Sequence, residues 1–125
     1  MAVKHATSPL APKTTPTLPR IAGVKLAAAQ SGVRYKDRDD VMLAVLPAGA
    51  TVAGVLTKSK TSSAPVDWCR KNLARGKIRA IIVNAGNANA FTGKLGDKAV
   101  EESTRAVGEM TRSRTSEARS AVPGD

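Results

Sequence analysis

The feature that most constrains this chain is the stretch of residues 78–93, IRAIIVNAGNANAFTG. Its first half, residues 78–83, is a short, mainly apolar run in which Ile78, Ile81, Ile82 and Val83 are branched at Cβ. Such side chains fit a pleated strand and are crowded in a helix. The run is short and bracketed by Gly76 and Gly86, so it predicts a buried strand. The second half, Asn84-Ala85-Gly86-Asn87-Ala88-Asn89-Ala90, mixes amides with very small side chains. Asn tolerates left-handed dihedrals and bonds its own backbone, and Gly86 accepts φ > 0, so the loop can turn tightly. The alanines keep its walls thin enough for a ligand to approach the backbone. A strand ending in such a loop is a common place for a binding site. The same residues would also serve as a plain polar turn between a buried strand and a helix.

The rest of the chain divides around this stretch. Residues 1–19 form a Pro/Thr/Ser/Lys tract with Pro9, Pro12, Pro16 and Pro19, a composition that buries too little apolar surface to offset ordering entropy. It reads as a disordered basic arm, with His5 solvated. Residues 20–110 read as one α/β domain. Strands are predicted at 21–29, 41–46, 51–57 and 78–83, with turn signals at Ser31-Gly32 and Pro47-Ala48-Gly49. Asp37, Arg38, Asp39 and Asp40 are expected in solvent at a hairpin end; the alternative, a metal site of three aspartates, has no nearby His to support it.

Helices are predicted at 65–75 and 96–110. Pro65 suits a first helical turn, Gly76 a stop, and Val66, Cys69 and Leu73 share one face. Cys69 on that stripe reads as a small core residue. Leu95, Ala99, Val100, Ala106, Val107 and Met110 are spaced for a helix packed on a sheet, with Asp97, Glu101 and Glu102 in its early turns. From Thr111 the periodicity collapses, and residues 111–125 read as an aberrant disordered tail.

Bulk properties exclude several classes. The chain has 125 residues, enough for one small domain with a core. Apolar residues make up 42% but aromatics only 2%, so the core must come from Val, Ile, Leu and Ala. No apolar run approaches the roughly 20 residues of a membrane span, and no h-region marks a secretory signal. One Cys and one His cannot complete a metal site of usual ligand count or an internal disulfide, so no metal is expected and a reduced cytoplasmic setting fits. The net charge of +10 raises nucleic acid as a partner, but three aromatics are too few for a stacking platform and the charge is scattered.

The segment Asn84-Ala85-Gly86-Asn87-Ala88-Asn89-Ala90-Phe91-Thr92-Gly93 resembles the N-S/A-G-N-A-N-A-x-T-G signature of the glutamate N-acetyltransferase/ornithine acetyltransferase family of arginine biosynthesis. Two further segments agree in order and spacing: Ile21-Ala22-Gly23-Val24-Lys25 followed by residues 36–43, and residues 53–60 leading to Ala64-Pro65-Val66. The resemblance implies acetyl transfer from N-acetylornithine, or in some members acetyl-CoA, to glutamate. It implies a self-cleaving precursor whose new N-terminal threonine carries the acetyl group, its own α-amine (pKa about 8) serving as base. It also implies a Ser-Thr-Gly segment that supplies the oxyanion hole. Neither nucleophile nor oxyanion segment occurs among these residues, and no GxSxG, Walker loop or GxGxxG is present.

The resulting expectation is an α/β fold of α+β type, a layered mixed sheet with helices on one face, forming the incomplete N-terminal portion of a larger fold. Its partners would be the small-molecule substrates, the remainder of the α segment and the β chain, with no cofactor beyond acetyl-CoA as co-substrate. Alone it is expected to be inactive, its composition changing at Thr111 as a frameshift or premature stop would change it. No catalytic residue is assigned; Asn87, Asn89 and Thr92 are the candidates for lining a substrate pocket. The competing readings are a small basic nucleic-acid-binding module and a non-catalytic assembly subunit.

Overall fold

The structure, a computed structural model, describes residues 8–33, 36–112 and 118–121. In chain order the elements are β1 (Lys25–Ala29), β2 (Val41–Val45), α1 (Ala64–Leu73), β3 (Ala80–Asn84), α2 (Gly93–Thr111) and β4 (Ala118–Ala121). The strands make one mixed sheet in the order β1-β2-β3-β4. β1 and β2 are antiparallel, with Ala27 opposite Leu43. β2 and β3 are antiparallel, with Leu43 opposite Ile82. β3 and β4 are parallel, with Ala80 beside Ala118, so β3–α2–β4 is a strand–helix–strand crossover.

Strand alternation decides which face is covered. Ala80, Val107 of α2 and Ala118 form the central cluster, and Leu43 and Ile82 pack against it. α1 and α2 pack on each other and both pack on β4, with α2 reaching β3 as well. The helices therefore occupy one face. The opposite face carries Leu26, Met42, Ala44, Ile81 and Val83, of which Leu26 remains 73% exposed and Ile81 and Val83 are half-buried. No helix of the described residues is long and apolar enough to cross a membrane.

Several expectations are corrected. Residues 51–57 do not form a strand: they contribute one bridge, Thr51 to Lys77, and Val55 is fully exposed. The segment pairs only briefly with residues 76–78, Val52 N–H donating to the Gly76 carbonyl and Ile78 N–H to the Ala50 carbonyl (both 3.1 Å). From Arg79 onward that edge is taken by Leu46 and β2, Leu46 N–H donating to the Arg79 carbonyl at 2.8 Å. The first strand starts at Lys25, because a turn closed by Val24 N–H to the Ile21 carbonyl (3.2 Å) occupies residues 21–24. Residues 8–24 hold turns without helix or strand; residues 1–7, His5 included, lie outside the described residues.

The helix over 93–111 buries Gly96, Val100, Thr104, Val107 and Gly108, whereas Leu95 and Met110 are exposed. Thr104 could join that face because its hydroxyl donates to the Val100 carbonyl at 2.8 Å, which removes the penalty of burying it. Starting the helix at Gly93 leaves no acid in its first turn and moves Asp97 into the second.

The tail expected to be disordered contains β4. Its residues lack β-branched side chains, but β3 offers a free edge, Ala118 is fully buried, and Trp68 Nε1–H donates to the Ala118 carbonyl at 3.2 Å. Residues 113–117 and 122–125 lie outside the described residues.

The charged run at 37–40 departs from expectation at its last member. Asp37 and Asp39 are exposed, but Asp40 is buried. Its carboxylate accepts from Ser31 N–H (2.5 Å) and Val33 N–H (3.1 Å), closing the link between β1 and β2. Its own N–H donates to the Ala29 carbonyl at 3.1 Å, and its carbonyl accepts from Ala85 N–H at 2.7 Å. Asp40 thus ties the hairpin to the first residue after β3. The Ser31 backbone donor is the main cause that holds its carboxyl below the ordinary 3.8, outweighing the opposing effect of burial. A lowered native pKa stabilises the fold fully above the unfolded value and loses that contribution as pH falls through the native value. Acidification from pH 5 to below 3.8 should therefore lower the melting temperature of the parent more than that of Asp40→Asn. Parallel declines of the two melting curves would show that the carboxylate does not couple to folding.

Candidate functional site

The signature loop leaves the carboxyl end of β3, the end at which α/β folds commonly place ligands. Its backbone departs from ordinary dihedrals four times in eight residues, with φ of 131° at Gly86, 48° at Asn89, 58° at Phe91 and 54° at Gly93. Asn is among the residues that reach the left-handed region at small cost, but Phe91 is not, and conformations of this kind cost on the order of 1–3 kcal/mol each.

The amides of the loop offset part of that cost. Asn84 Nδ2 donates to the Asn87 carbonyl at 3.3 Å, and Asn89 N–H donates to Asn87 Oδ1 at 3.0 Å. The Asn89 carbonyl in turn accepts from Ala64 N–H at 3.2 Å, which docks the loop on the first residue of α1.

This docking leaves a cavity of about 300 Å³ between residues 60–62, the start of α1, the loop at 89–92 and the first turns of α2. Asn89 and Thr92 line it. Asn87 does not; its side-chain oxygen is spent on Asn89 N–H, so it shapes the loop instead of facing the cavity. Thr92 makes no side-chain cap bond to α2. Its Oγ1 lies where a β-carbon at Gly96 would fall, 2.0 Å away, so Gly96 has to lack one for Thr92 to sit against the helix.

Sequence reasoning missed the charged part of the wall: Lys60, Asp67 and Asp97. Lys60 lies in a segment that carries the family resemblance, which is the one signal that could have raised it. Asp67 accepts from Ser62 Oγ at 2.7 Å and from Arg70 Nη1, whose other nitrogen Nη2 donates to the Thr57 carbonyl at 2.9 Å. That network fixes the chain entering α1. Cys69 is half-buried and outside the cavity wall. Among the described residues no three His, Cys, Asp or Glu side chains gather as they would around a metal ion.

The comparisons with known proteins agree on one family. The ArgJ family profile matches residues 25–123. The arginine biosynthesis bifunctional protein ArgJ of Bradyrhizobium diazoefficiens is 63% identical over 94 residues, covering 75% of this chain and 23% of that protein. Its counterpart in Mesorhizobium japonicum is 58% identical over 102 residues, covering 82% and 24%. Among solved structures, the Bacillus halodurans ArgJ protein superposes with a TM-score of 0.72 at 32% identity, covering 83% of this chain and 55% of that one. An ornithine acetyltransferase of Mycobacterium tuberculosis, solved with ornithine, gives 0.72 at 29% identity, covering 83% and 57%.

The chain belongs to the ArgJ family. It spans about a quarter of the length of the curated relatives it matches. The family match continues to residue 123, beyond the domain limit at residue 110 read from the sequence, and so includes β4.

The loop geometry makes Gly86 testable. With φ at 131°, a branched side chain there should destabilise the fold by roughly 1–3 kcal/mol. Gly86→Val should lower the denaturation midpoint correspondingly, and a variant that melts with the parent would mark Gly86 as an ordinary turn residue.

Proposed function

We propose that this chain serves acetyl transfer in arginine biosynthesis, from N-acetylornithine to glutamate, in the reducing cytoplasm. The observation that carries the reading is the placement of Asn89 and Thr92 of the signature loop on one cavity at the carboxyl end of β3. Membership of the ArgJ family and the superposition on an enzyme solved with ornithine support it.

In this reaction a threonine hydroxyl attacks the acetyl carbonyl of N-acetylornithine. The amide C–N bond breaks, the leaving amine takes up a proton, and ornithine departs. The α-amine of glutamate then attacks the threonine ester, its proton is lost, and N-acetylglutamate leaves with the hydroxyl restored. The residues of this chain bind and orient the amino-acid substrate, while the threonine and the oxyanion donors come from polypeptide outside these 125 residues. Acetyl-CoA would serve only as an alternative acetyl donor. No cofactor is required by this scheme.

Two assays test the reading. The 125-residue chain should show no detectable transfer from radiolabelled N-acetylornithine to glutamate, since loss of nucleophile and oxyanion donors costs several powers of ten. Co-expression with the remaining three quarters of the Bradyrhizobium relative should restore transfer. Turnover by the chain alone that survives repurification would overturn the division of labour and direct attention to Thr57, Thr92 and Cys69. A folded complemented enzyme without transfer would overturn the function.

A further inference from the structure

The cavity wall contains an uneven set of charges. Asp67 is engaged by Ser62 and Arg70. Lys60 and Asp97, by contrast, have no hydrogen-bond or ion-pair partner among the described residues. They come from separate elements, Lys60 from the loop before α1 and Asp97 from the second turn of α2. Between them the cavity offers the Asn89 amide and the Thr92 hydroxyl, with Phe91 as an apolar wall. A ligand that complements this wall carries an anionic group, a cationic group and a short apolar body. At about 300 Å³ the cavity is at the small end of ligand sites and suits a molecule of amino-acid size.

We infer that Lys60 and Asp97 are specificity residues that read the charges of the amino-acid substrate, favouring zwitterionic amino acids and disfavouring their N-acetylated dianionic counterparts. Lys60 Nζ donates to a carboxylate, and the Asp97 carboxylate accepts from an ammonium. The inference rests on the proposed acetyl transfer and adds a direction to it. N-acetylornithine, ornithine and glutamate each carry at least one carboxylate and one ammonium. N-acetylglutamate carries two carboxylates and no ammonium, so it brings like charge to Asp97 and nothing to offset it. Acetylation of the glutamate amine thus removes the group that Asp97 binds, and the product leaves more readily than the acceptor arrived. Both side chains are solvent-accessible, so each contact is worth a modest factor in affinity.

Chemical-shift titration of the ¹⁵N-labelled 125-residue chain tests this with four probes: L-glutamate, L-ornithine, N-acetyl-L-glutamate and putrescine. Glutamate and ornithine should shift amides at 60–62, 89–93 and 97, with N-acetylglutamate binding about fivefold more weakly than glutamate. Asp97→Asn should close most of that gap. Lys60→Gln should weaken glutamate about fivefold while leaving putrescine, which has no carboxylate, unchanged, and Lys60→Arg should largely restore glutamate. Equal affinity of the parent for glutamate and N-acetylglutamate, or variants that bind all probes as the parent does, would overturn the charge-reading pair while leaving the acetyl-transfer reading in place. A folded parent whose loop amides respond to neither glutamate nor ornithine would overturn both.

Discussion

Pairing of β3 along both of its edges is the constraint on which the rest of the structure depends. Antiparallel β2 satisfies one edge and parallel β4 the other, so the backbone of Ala80–Asn84 is enclosed in the sheet. Its alternate side chains reach both faces. Ala80 and Ile82 meet the helix layer, and the small size of Ala80 and of Ala118 beside it lets Val107 close over them. The parallel pairing with β4 requires the chain to cross back over the sheet, and α2 is that crossing. Where β3 ends, the loop that feeds α2 must begin, which fixes the signature residues at one end of the sheet.

The loop then converts a fixed starting point into a shaped wall. Asp40 holds its first residue through the Ala85 N–H, and Ala64 N–H holds it at Asn89. Between these anchors Gly86 and Asn89 take positive φ, and Asn87 spends its side chain on the backbone two residues on. Such hydrogen bonds keep a costly backbone path in one conformation instead of several. The outcome is a cavity bounded by polar atoms from a loop and two helix starts. The cavity is therefore a property of the tertiary arrangement, and no one segment supplies it.

Much of this was legible in the sequence, for identifiable reasons. The Ile/Val run marked β3, Pro65 and Gly76 bounded α1 closely, and the signature loop disclosed both its turn and its family. What escaped depends on groups distant in sequence. Residues 118–121 are a strand only because one edge of β3 is open to them, and 51–57 are not one because β2 takes the other edge from Arg79 onward. Burial of Asp40 and Thr104 is tolerated because their polar atoms are satisfied, which composition cannot reveal. Of the three residues put forward for the pocket, Asn89 and Thr92 line the cavity and Asn87 does not. Lys60 and Asp97 share a wall only through the docking of the loop on α1 and the start of α2 at Gly93.

Residue-resolved amide hydrogen exchange measures the central constraint most directly, because protection reports the free energy of opening each backbone bond. If β3 is enclosed on both edges, the amides of Ala80–Asn84 should exchange more slowly than those of edge strand β1, the amides of Ala118–Ala121 should also be protected, and those of residues 8–20 should exchange near the unfolded rate. Exchange at 118–121 as fast as at residues 8–20, or β3 amides no slower than those of edge strand β1, would contradict the account.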